Sequence, residues 1–366
     1  MRELGGFIMN ILKRSILIIL AIVMTLSIVG CTTKPEIETP ENLEPVEEPE
    51  NEVVEEPKFE PIVITDHLGR EVTIEERPER IVSGYYITSS MLIALGLEDN
   101  VVGIEAKANS RPIYSLAAPQ LLDLPNVGTA KEFNLEGCIA LEPDLVILPI
   151  KLKDSVKSLE DLGIKVIAVN PEDMDLLKET IIMIGKATDN EDKANELIAY
   201  YDEKISEINK VIDVDNKKKV YLGGNSDFLS TATGKMYQNY MIETAGAINV
   251  ASEIDDTYWA TISYEQLLNY NPDVIIIVPE ADYTKEDILN DEKLAPLTAV
   301  QNGEIYEMPD SFEAWDSPVP SGILGTMWLT SILNEENYSF DTFKEDVADF
   351  YNVFYNFSVD KELITK

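Results

Sequence analysis

The chain of 366 residues contains one histidine, His67, and two cysteines, Cys31 and Cys138. Direct capture of bare zinc or manganese normally relies on several imidazole side chains, which this sequence does not supply. The signatures GxGxxG, Walker A, CxxC and HExxH are also absent. These absences predict a protein that is not an enzyme, with no catalytic residue, no metal site and no cofactor.

Basic residues are scarce as well. The chain has 29 lysines and arginines against 67 aspartates and glutamates, which gives a formal net charge of −38. Binding to a phosphate backbone needs a basic stripe, and the sequence has none. We therefore expect an acidic surface and no nucleic-acid partner.

The N-terminus carries the longest apolar run, over residues 15–29, and basic residues precede it. A run of this length with these flanks is typical of a secretory signal, predicted over residues 1–30. The sequence LSIVGC at 26–31 resembles a bacterial lipobox, which implies that Cys31 is lipidated and becomes the mature N-terminus. An uncleaved membrane anchor is the alternative, and Met9 is a plausible alternative start. Cys138 would then have no disulfide partner.

Residues 31–60 are mostly proline, glutamate and small polar residues after the cysteine. Such a composition cannot bury enough apolar surface to fold, so we interpret this segment as an acidic tether. The folded body is predicted to begin near Pro61. We expect an N-terminal lobe over 61–172, connecting helices over 173–217, a C-terminal lobe over 218–338, and a C-terminal helix and tail over 339–366.

Hydrophobic periodicity supports this division. Strand and helix patterns alternate before residue 174 and again after residue 217, which favours two parallel sheets covered by helices. Between them, residues 174–212 have apolar positions at helical spacing and no proline, with a break expected near Asp189 and Asn190. The predicted fold class is α/β, with two lobes, each a mostly parallel sheet covered by helices, joined by one long spine helix.

An internal repeat indicates that the two lobes are related. The segment LEGCIALEPDLVI at 135–147 aligns with YEQLLNYNPDVII at 264–276, with a glutamate and Pro-Asp in register. Each copy has the pattern of a short helix followed by a buried strand.

Aromatic and polar side chains follow several of the predicted strands. Ligands of open α/β sheets bind beyond the carboxyl ends of the strands, so these side chains are expected to face one cleft between the lobes. The predicted ligand-binding residues are Tyr85, Tyr86, Lys131, Phe133, Asn225, Phe228, Trp259 and Trp315. Further candidates for polar contacts are Lys107, Arg111 and Asn239.

Several phrases in order resemble class III solute-binding proteins, which serve ABC importers for ferric siderophores, haem and cobalamin. They are DHLGREVTI at 66–74 with RPERIVS at 77–83, NLEGCIALEPDLVI at 134–147, ISYEQL at 262–267 with PD at 272–273, and GTMWL at 325–329. The resemblance implies two lobes joined by a long helix and a ligand held in the cleft between them. It also implies one surface glutamate on each lobe that docks on permease arginines, at Glu136 and Glu243, with Glu265 as the rival of Glu243.

The resemblance predicts a lipid-anchored receptor on the extracytoplasmic face of the cell membrane. It would be a monomer that captures a ferric siderophore, haem or a corrinoid and delivers it to an ABC permease and its ATPase. Residues 319–321 read Val-Pro-Ser where many relatives carry an arginine, so a planar ligand stacked on tryptophan and tyrosine is expected to need fewer cations than an anionic siderophore. Two alternatives remain: an oxoanion receptor of the molybdate or tungstate type on the same fold, and a surface-anchored enzyme.

Overall fold

The structure is a computed structural model and describes residues 59–366. The predictions for the signal peptide, for lipidated Cys31 and for residues 31–58 of the tether lie outside the described residues. Within residues 59–366, no helix is both long and apolar enough to cross a membrane.

The N-terminal lobe begins with a hairpin and continues as a parallel sheet. Strands β1 (Ile62–Thr65) and β2 (Glu71–Ile74) pair antiparallel around a turn in which Gly69 has φ of 73°. The sheet has the order β4-β3-β5-β6, and all its pairs are parallel. Its strands are β3 (Ile81–Ser83), β4 (Val101–Gly103), β5 (Leu145–Pro149) and β6 (Lys165–Val169). Its helices are α1 (Tyr86–Ala94), α2 (Pro112–Ala117), α3 (Leu135–Ala140) and α4 (Lys153–Asp161).

Two consecutive helices connect the lobes: α5 (Met174–Ala187) and α6 (Glu191–Val211). The break predicted near Asp189 is confirmed, since this residue adopts a left-handed φ of 55° between the two helices. The apolar positions at helical spacing are buried in both helices, as at Leu177 and Leu197.

The C-terminal lobe has a six-stranded sheet of mixed direction. Its order is β10-β8-β7-β11-β12, with β9 also paired to β7. Strands β7, β9, β11 and β12 are parallel, whereas β8 and β10 extend one edge in antiparallel pairs. The strands are β7 (Lys219–Gly223), β8 (Ser230–Ala232), β9 (Ile248–Asn249), β10 (Trp259–Thr261), β11 (Val274–Ile277) and β12 (Ile305–Glu307). The helices are α7 (Tyr237–Thr244), α8 (Tyr264–Tyr270), α9 (Lys285–Asn290) and α10 (Thr298–Asn302).

Two final helices, α11 (Gly322–Leu333) and α12 (Phe340–Phe354), complete the fold. Helix α12 packs on the connecting helix α6, with ring centroids of Phe350 and Tyr200 5.3 Å apart. Just beyond α12, the hydroxyls of Tyr355 and Ser90 lie 2.9 Å apart, so the segment after the last helix contacts the first lobe. One continuous core joins the inner faces of both sheets to the connecting helices, and each sheet has a separate cluster on its outer face.

Candidate ligand-binding cleft

A small cavity of about 40 Å³ lies between the two lobes, at the edge where the parallel strands end. Lobe one contributes Tyr86 at the start of α1 and the segment Arg111 to Tyr114 around the start of α2. Lobe two contributes the loops after β11 and β12. Both lobes therefore supply walls to one cleft, as the positions of the strand ends predict.

A second, more open pocket of about 300 Å³ adjoins this cavity on lobe one. Tyr86 and Arg111 line both spaces, so the two are parts of one site. The second pocket is also lined by Tyr85, Lys107 and Lys131. Three cationic side chains thus converge on one pocket of a chain whose net charge is −38. Such a concentration of positive charge favours an anionic ligand.

Arg111 is the most constrained of these cations. Its side chain is 26% exposed, and its guanidinium carbon lies 4.2 Å from the centroid of the Tyr86 ring, in cation–π geometry. Its Nε lies 3.8 Å from Oε1 of buried Glu105. That nitrogen is buried and has no hydrogen-bond partner among residues 59–366. A ligand can therefore reach only the exposed part of the guanidinium, which can pair with an anionic oxygen.

Glu105 holds the arginine from behind. It accepts hydrogen bonds from the hydroxyls of Ser89, at 2.6 Å, and Tyr114, at 2.5 Å. These two donors fix the carboxylate, and the carboxylate in turn limits where the Arg111 guanidinium can lie.

The two cleft tyrosines are neutral hydrogen-bonding groups. Their ring centroids are 5.3 Å apart in an edge-to-face arrangement. Burial raises the pKa of Tyr85 far above its ordinary value and also raises the pKa of Tyr86, although Arg111 opposes the shift in both. Both phenols therefore keep their protons at neutral pH and can donate to a ligand oxygen.

A buried carboxyl group joins the lobes at the base of the cavity. Glu313, in the loop after β12, accepts hydrogen bonds from Ser90 on α1, from Ser321 and from Tyr355. Burial raises the pKa of Glu313, and these three hydrogen bonds oppose that rise. Because its oxygens are occupied within the protein, Glu313 fixes the walls of the cavity.

The prediction that Trp315 contacts the ligand is wrong for this structure. Its side chain is fully buried, its ring stacks on Phe312 with centroids 6.1 Å apart, and its Nε1 donates to the Tyr351 hydroxyl at 2.9 Å. The indole N–H is satisfied and the ring belongs to the core, so it offers no surface to the cleft.

Three other predicted residues lie behind or beside the cleft. Phe133 packs beneath Gly84, which itself lines the lobe-one pocket. Phe228 packs edge-to-face between Tyr221 and Tyr283 inside lobe two. Trp259 is 36% exposed on edge strand β10 and does not line either pocket.

Two predicted asparagines hold other groups of lobe two in place. Asn225 is exposed, and its Nδ2 donates to the carbonyl of Pro279, in the loop that lines the cavity, at 2.7 Å. The side-chain oxygen of Asn239 accepts from Asn249 at 3.0 Å, away from the cleft.

The three candidate docking glutamates are all exposed, but they lie at two different edges. Glu136 and Glu265 are in the first turns of α3 and α8, and each helix runs down to the start of the next strand, so both glutamates lie at the cleft edge. Glu243 is in the last turn of α7, which leads to Ile248 and its hydrogen bond to the Lys218 carbonyl at the start of β7. Glu243 therefore lies at the opposite edge of the sheet, and the geometry favours Glu265.

Acidic residues of the lobe-two wall were not among the predicted site residues. Glu280 follows β11, and Asp310 and Glu313 follow β12; all three line the interlobe cavity. The rule that found the aromatic candidates, position just after a strand, would have found these carboxylates as well.

Comparisons with known proteins agree with this architecture. Residues 81–312 match the family model described as periplasmic binding protein. The chain is 29% identical over 324 residues to the molybdate-binding protein MolA of Haemophilus influenzae, an alignment that covers 81% of this chain and 91% of MolA. It is 30% identical to the uncharacterised ABC transporter substrate-binding lipoprotein YvrC of Bacillus subtilis, over 73% of this chain and 84% of YvrC.

The solved structure of Haemophilus influenzae MolA with bound molybdate superposes with a TM-score of 0.71 and 26% identity, and covers 82% of this chain and 99% of that one. The order and spacing of the sequence phrases, the two-sheet fold, the family match and these relatives all agree. The chain belongs to the periplasmic binding protein family, as a class III solute-binding protein of ABC importers.

Proposed function

We propose that this protein is the extracytoplasmic receptor of an ABC importer and that its ligand is an anionic metal chelate. The observation that carries the proposal is the lobe-one pocket, where Lys107, Arg111 and Lys131 converge beside Tyr85 and Tyr86. The Arg111 guanidinium, held between the Tyr86 ring and buried Glu105, gives this pocket a positioned cation for a carboxylate or other anionic oxygen. The lysines add charge at the rim, where it attracts the ligand.

The lining of the site distinguishes between kinds of chelate. Haem and corrinoids fit less well than a ferric siderophore or ferric carboxylate. Their flat macrocycles need a stacking platform, and Trp315, Phe228 and Trp259 do not form one at the cleft.

A metal oxoanion is the second candidate function. It is favoured by the similarity to a molybdate-binding protein over 91% of that protein's length. The start of α1 also lies at the pocket, and no side chain of the described residues caps its first turn. The N–H groups and positive dipole end of this helix, together with Arg111, could bind a tetrahedral oxoanion.

A calorimetric titration with ferric citrate, a catecholate ferric siderophore and molybdate tests the proposal. We expect saturable one-to-one binding of a ferric chelate that is lost when Arg111 is replaced. Binding of molybdate with no binding of either chelate would establish the second candidate instead. Tight binding of a neutral corrinoid, unaffected at Arg111, would contradict both.

We also propose that Cys31 carries the lipid that anchors the receptor to the membrane. The lipobox-like sequence before Cys31 and the lipoprotein YvrC among the relatives support this assignment. Mass spectrometry of the N-terminal peptide from membranes should show a mature chain that begins at a diacylglyceryl-modified Cys31. A Cys31→Ser variant should be released from the membrane or keep its signal peptide.

Delivery of the ligand requires docking on the permease. We propose that Glu136 and Glu265 dock one lobe each, because both are exposed at the cleft edge of their lobes. Two separated carboxylates set the register of docking on basic sockets. One receptor monomer with two lobes would then dock on one permease, and the ATPase of that permease would drive import.

A further inference from the structure

The interlobe cavity has walls of opposite charge. Lobe one presents Arg111, whereas lobe two presents Glu280 and Asp310, both exposed. A ligand that is anionic on every face would gain from the first wall and be repelled by the second. The charge of the lobe-two wall therefore restricts which anionic chelates can lie between the lobes.

Glu280 is held in a conformation that side chains rarely adopt. Its φ is 57°, in the left-handed region where glycine is usual. Asn225 holds this turn by two hydrogen bonds. Its side-chain Nδ2 donates to the Pro279 carbonyl at 2.7 Å, and its main-chain carbonyl accepts from the backbone N–H of Asp282 at 2.7 Å. A carboxylate kept at a strained backbone position in a ligand cleft points to a role in recognition.

The Glu280 carboxylate has no internal counter-ion. Among residues 59–366, no lysine, arginine or histidine nitrogen lies within 4.0 Å of it. Glu313, by contrast, is buried and occupied by three hydroxyl donors. The negative charge of Glu280 is therefore available to a ligand. The charge of Glu280 also acts on buried Asp316. Burial is the main cause that raises the pKa of Asp316 to about 6, and the Glu280 charge contributes to the rise.

We propose that Glu280 is a specificity-determining residue that selects a zwitterionic metal chelate. The anionic oxygens of the chelate would lie on Arg111 in lobe one, and a protonated amine at its periphery would lie on Glu280 in lobe two. This inference rests on the proposed function, because it assumes that lobe one binds the anionic part of a chelate. It excludes purely anionic chelates and oxoanions as the preferred ligand.

The test uses two ferric trihydroxamate probes that differ by one charge. The first carries a carboxylate at one end and a primary ammonium at the other, and the second is the same chelate with the amine acetylated. Ferric citrate serves as the third probe, which carries negative charge and no ammonium group. Dissociation constants are measured for the full chain, for Glu280→Gln, and for Glu253→Gln, in which an exposed lobe-two glutamate outside the cleft is changed.

The wild-type protein should bind the ammonium probe at least about tenfold more tightly than its acetylated twin, which corresponds to one charge-assisted contact. In Glu280→Gln this ratio should fall to near one, and ferric citrate should bind more tightly than to the wild type. Glu253→Gln should keep the wild-type ratio. Asn225→Ala, which frees the turn, should also reduce the ratio without abolishing binding.

Equal wild-type affinity for the two trihydroxamates, or a ratio that survives Glu280→Gln, would overturn the inference. So would binding of ferric citrate with no binding of either trihydroxamate. In these cases Arg111-dependent binding of ferric citrate would leave the proposed function standing. Failure of the wild-type protein to bind any of the three ferric probes would overturn both.

Discussion

The Oγ of Ser90, on the first helix of lobe one, donates a hydrogen bond of 2.5 Å to Oε1 of Glu313, in a loop of lobe two. The other carboxylate oxygen accepts from Tyr355, which follows the C-terminal helix, at 3.0 Å. One buried side chain thus connects both lobes and the segment after the C-terminal helix, at the base of the cavity. Arg111 and Glu280 line the same cavity.

Ser90→Ala should therefore destabilise the protein. Removal of the hydroxyl leaves Oε1 of the buried Glu313 carboxyl group without the hydrogen bond from Ser90. The expected cost is about 1–3 kcal/mol in the free energy of unfolding. Urea denaturation measures this loss. The matched control is Ser115→Ala, at an exposed position, which should change stability by less than about 0.5 kcal/mol. Equal stability of the two variants would show that the Ser90 bond contributes nothing.

Asp316→Asn should make the protein more stable at alkaline pH. Burial raises the pKa of Asp316 to about 6 in the folded state, against about 3.9 in an unfolded chain. Between these values the folded state binds more protons, so the wild-type protein loses stability as pH rises through 6. Asparagine can still accept from Gln238 and carries no charge to desolvate.

The gain from Asp316→Asn should reach roughly 3 kcal/mol above pH 7 and vanish below pH 4, since about two pKa units are involved. Thermal unfolding at pH 4 and pH 8 measures both limits. A constant difference across this range would mean that Asp316 titrates normally.

Docking on the permease should depend on Glu136 and Glu265 and not on Glu243. The double variant Glu136→Ala/Glu265→Ala should keep ligand affinity and lose stimulation of the ATPase of the cognate permease in proteoliposomes. Glu243→Ala, at the opposite edge of its sheet, is the matched control and should stimulate normally. Loss of ATPase stimulation in Glu243→Ala, with normal stimulation by the double variant, would show that Glu136 and Glu265 are not the docking pair.

The three tryptophans should differ in their accessibility to a quencher. Trp315 and Trp328 are fully buried, and Trp259 is 36% exposed. Acrylamide should quench mainly Trp259, so Trp259→Phe should remove most of the quenching of native emission. Strong residual quenching in that variant would place Trp315 at the surface, as the sequence analysis expected.

Much of the fold could be predicted because local patterns and long-range contacts agree. The two copies of the repeat, at 135–147 and 264–276, make the same kind of hydrogen bond in the two lobes. Asp144 accepts from the backbone N–H of Glu79 and Arg80 at the start of β3, and Asp273 accepts from the N–H of Lys219 at the start of β7. The Pro-Asp pair in register in the sequence therefore marks the same strand-capping interaction in both lobes. The sequence patterns did not predict β8, β9 and β10, which have two or three residues each.

The candidate site was predicted only in part. Position after a strand brought Tyr85 and Tyr86 to one pocket, which the candidate polar residues Arg111 and Lys131 also line. The same rule failed for Trp315, because position along the chain does not determine whether a side chain points into the cleft or into the core. That outcome depends on the distant partners Phe312 and Tyr351. The pairing of Glu136 with Glu243 failed to match the geometry because a helix has its two ends at opposite edges of the sheet.

Calorimetric titration of wild-type protein and Arg111→Ala with ferric citrate tests the central claim most directly. We predict one-to-one binding by the wild-type protein and at least about tenfold weaker binding by Arg111→Ala, since a charge-assisted contact is lost. Arg77→Ala, an exposed arginine outside the cleft, should bind like the wild type. Equal affinity of Arg111→Ala and the wild-type protein would contradict the account, because the cationic pocket of lobe one would then not be the site that holds the ligand.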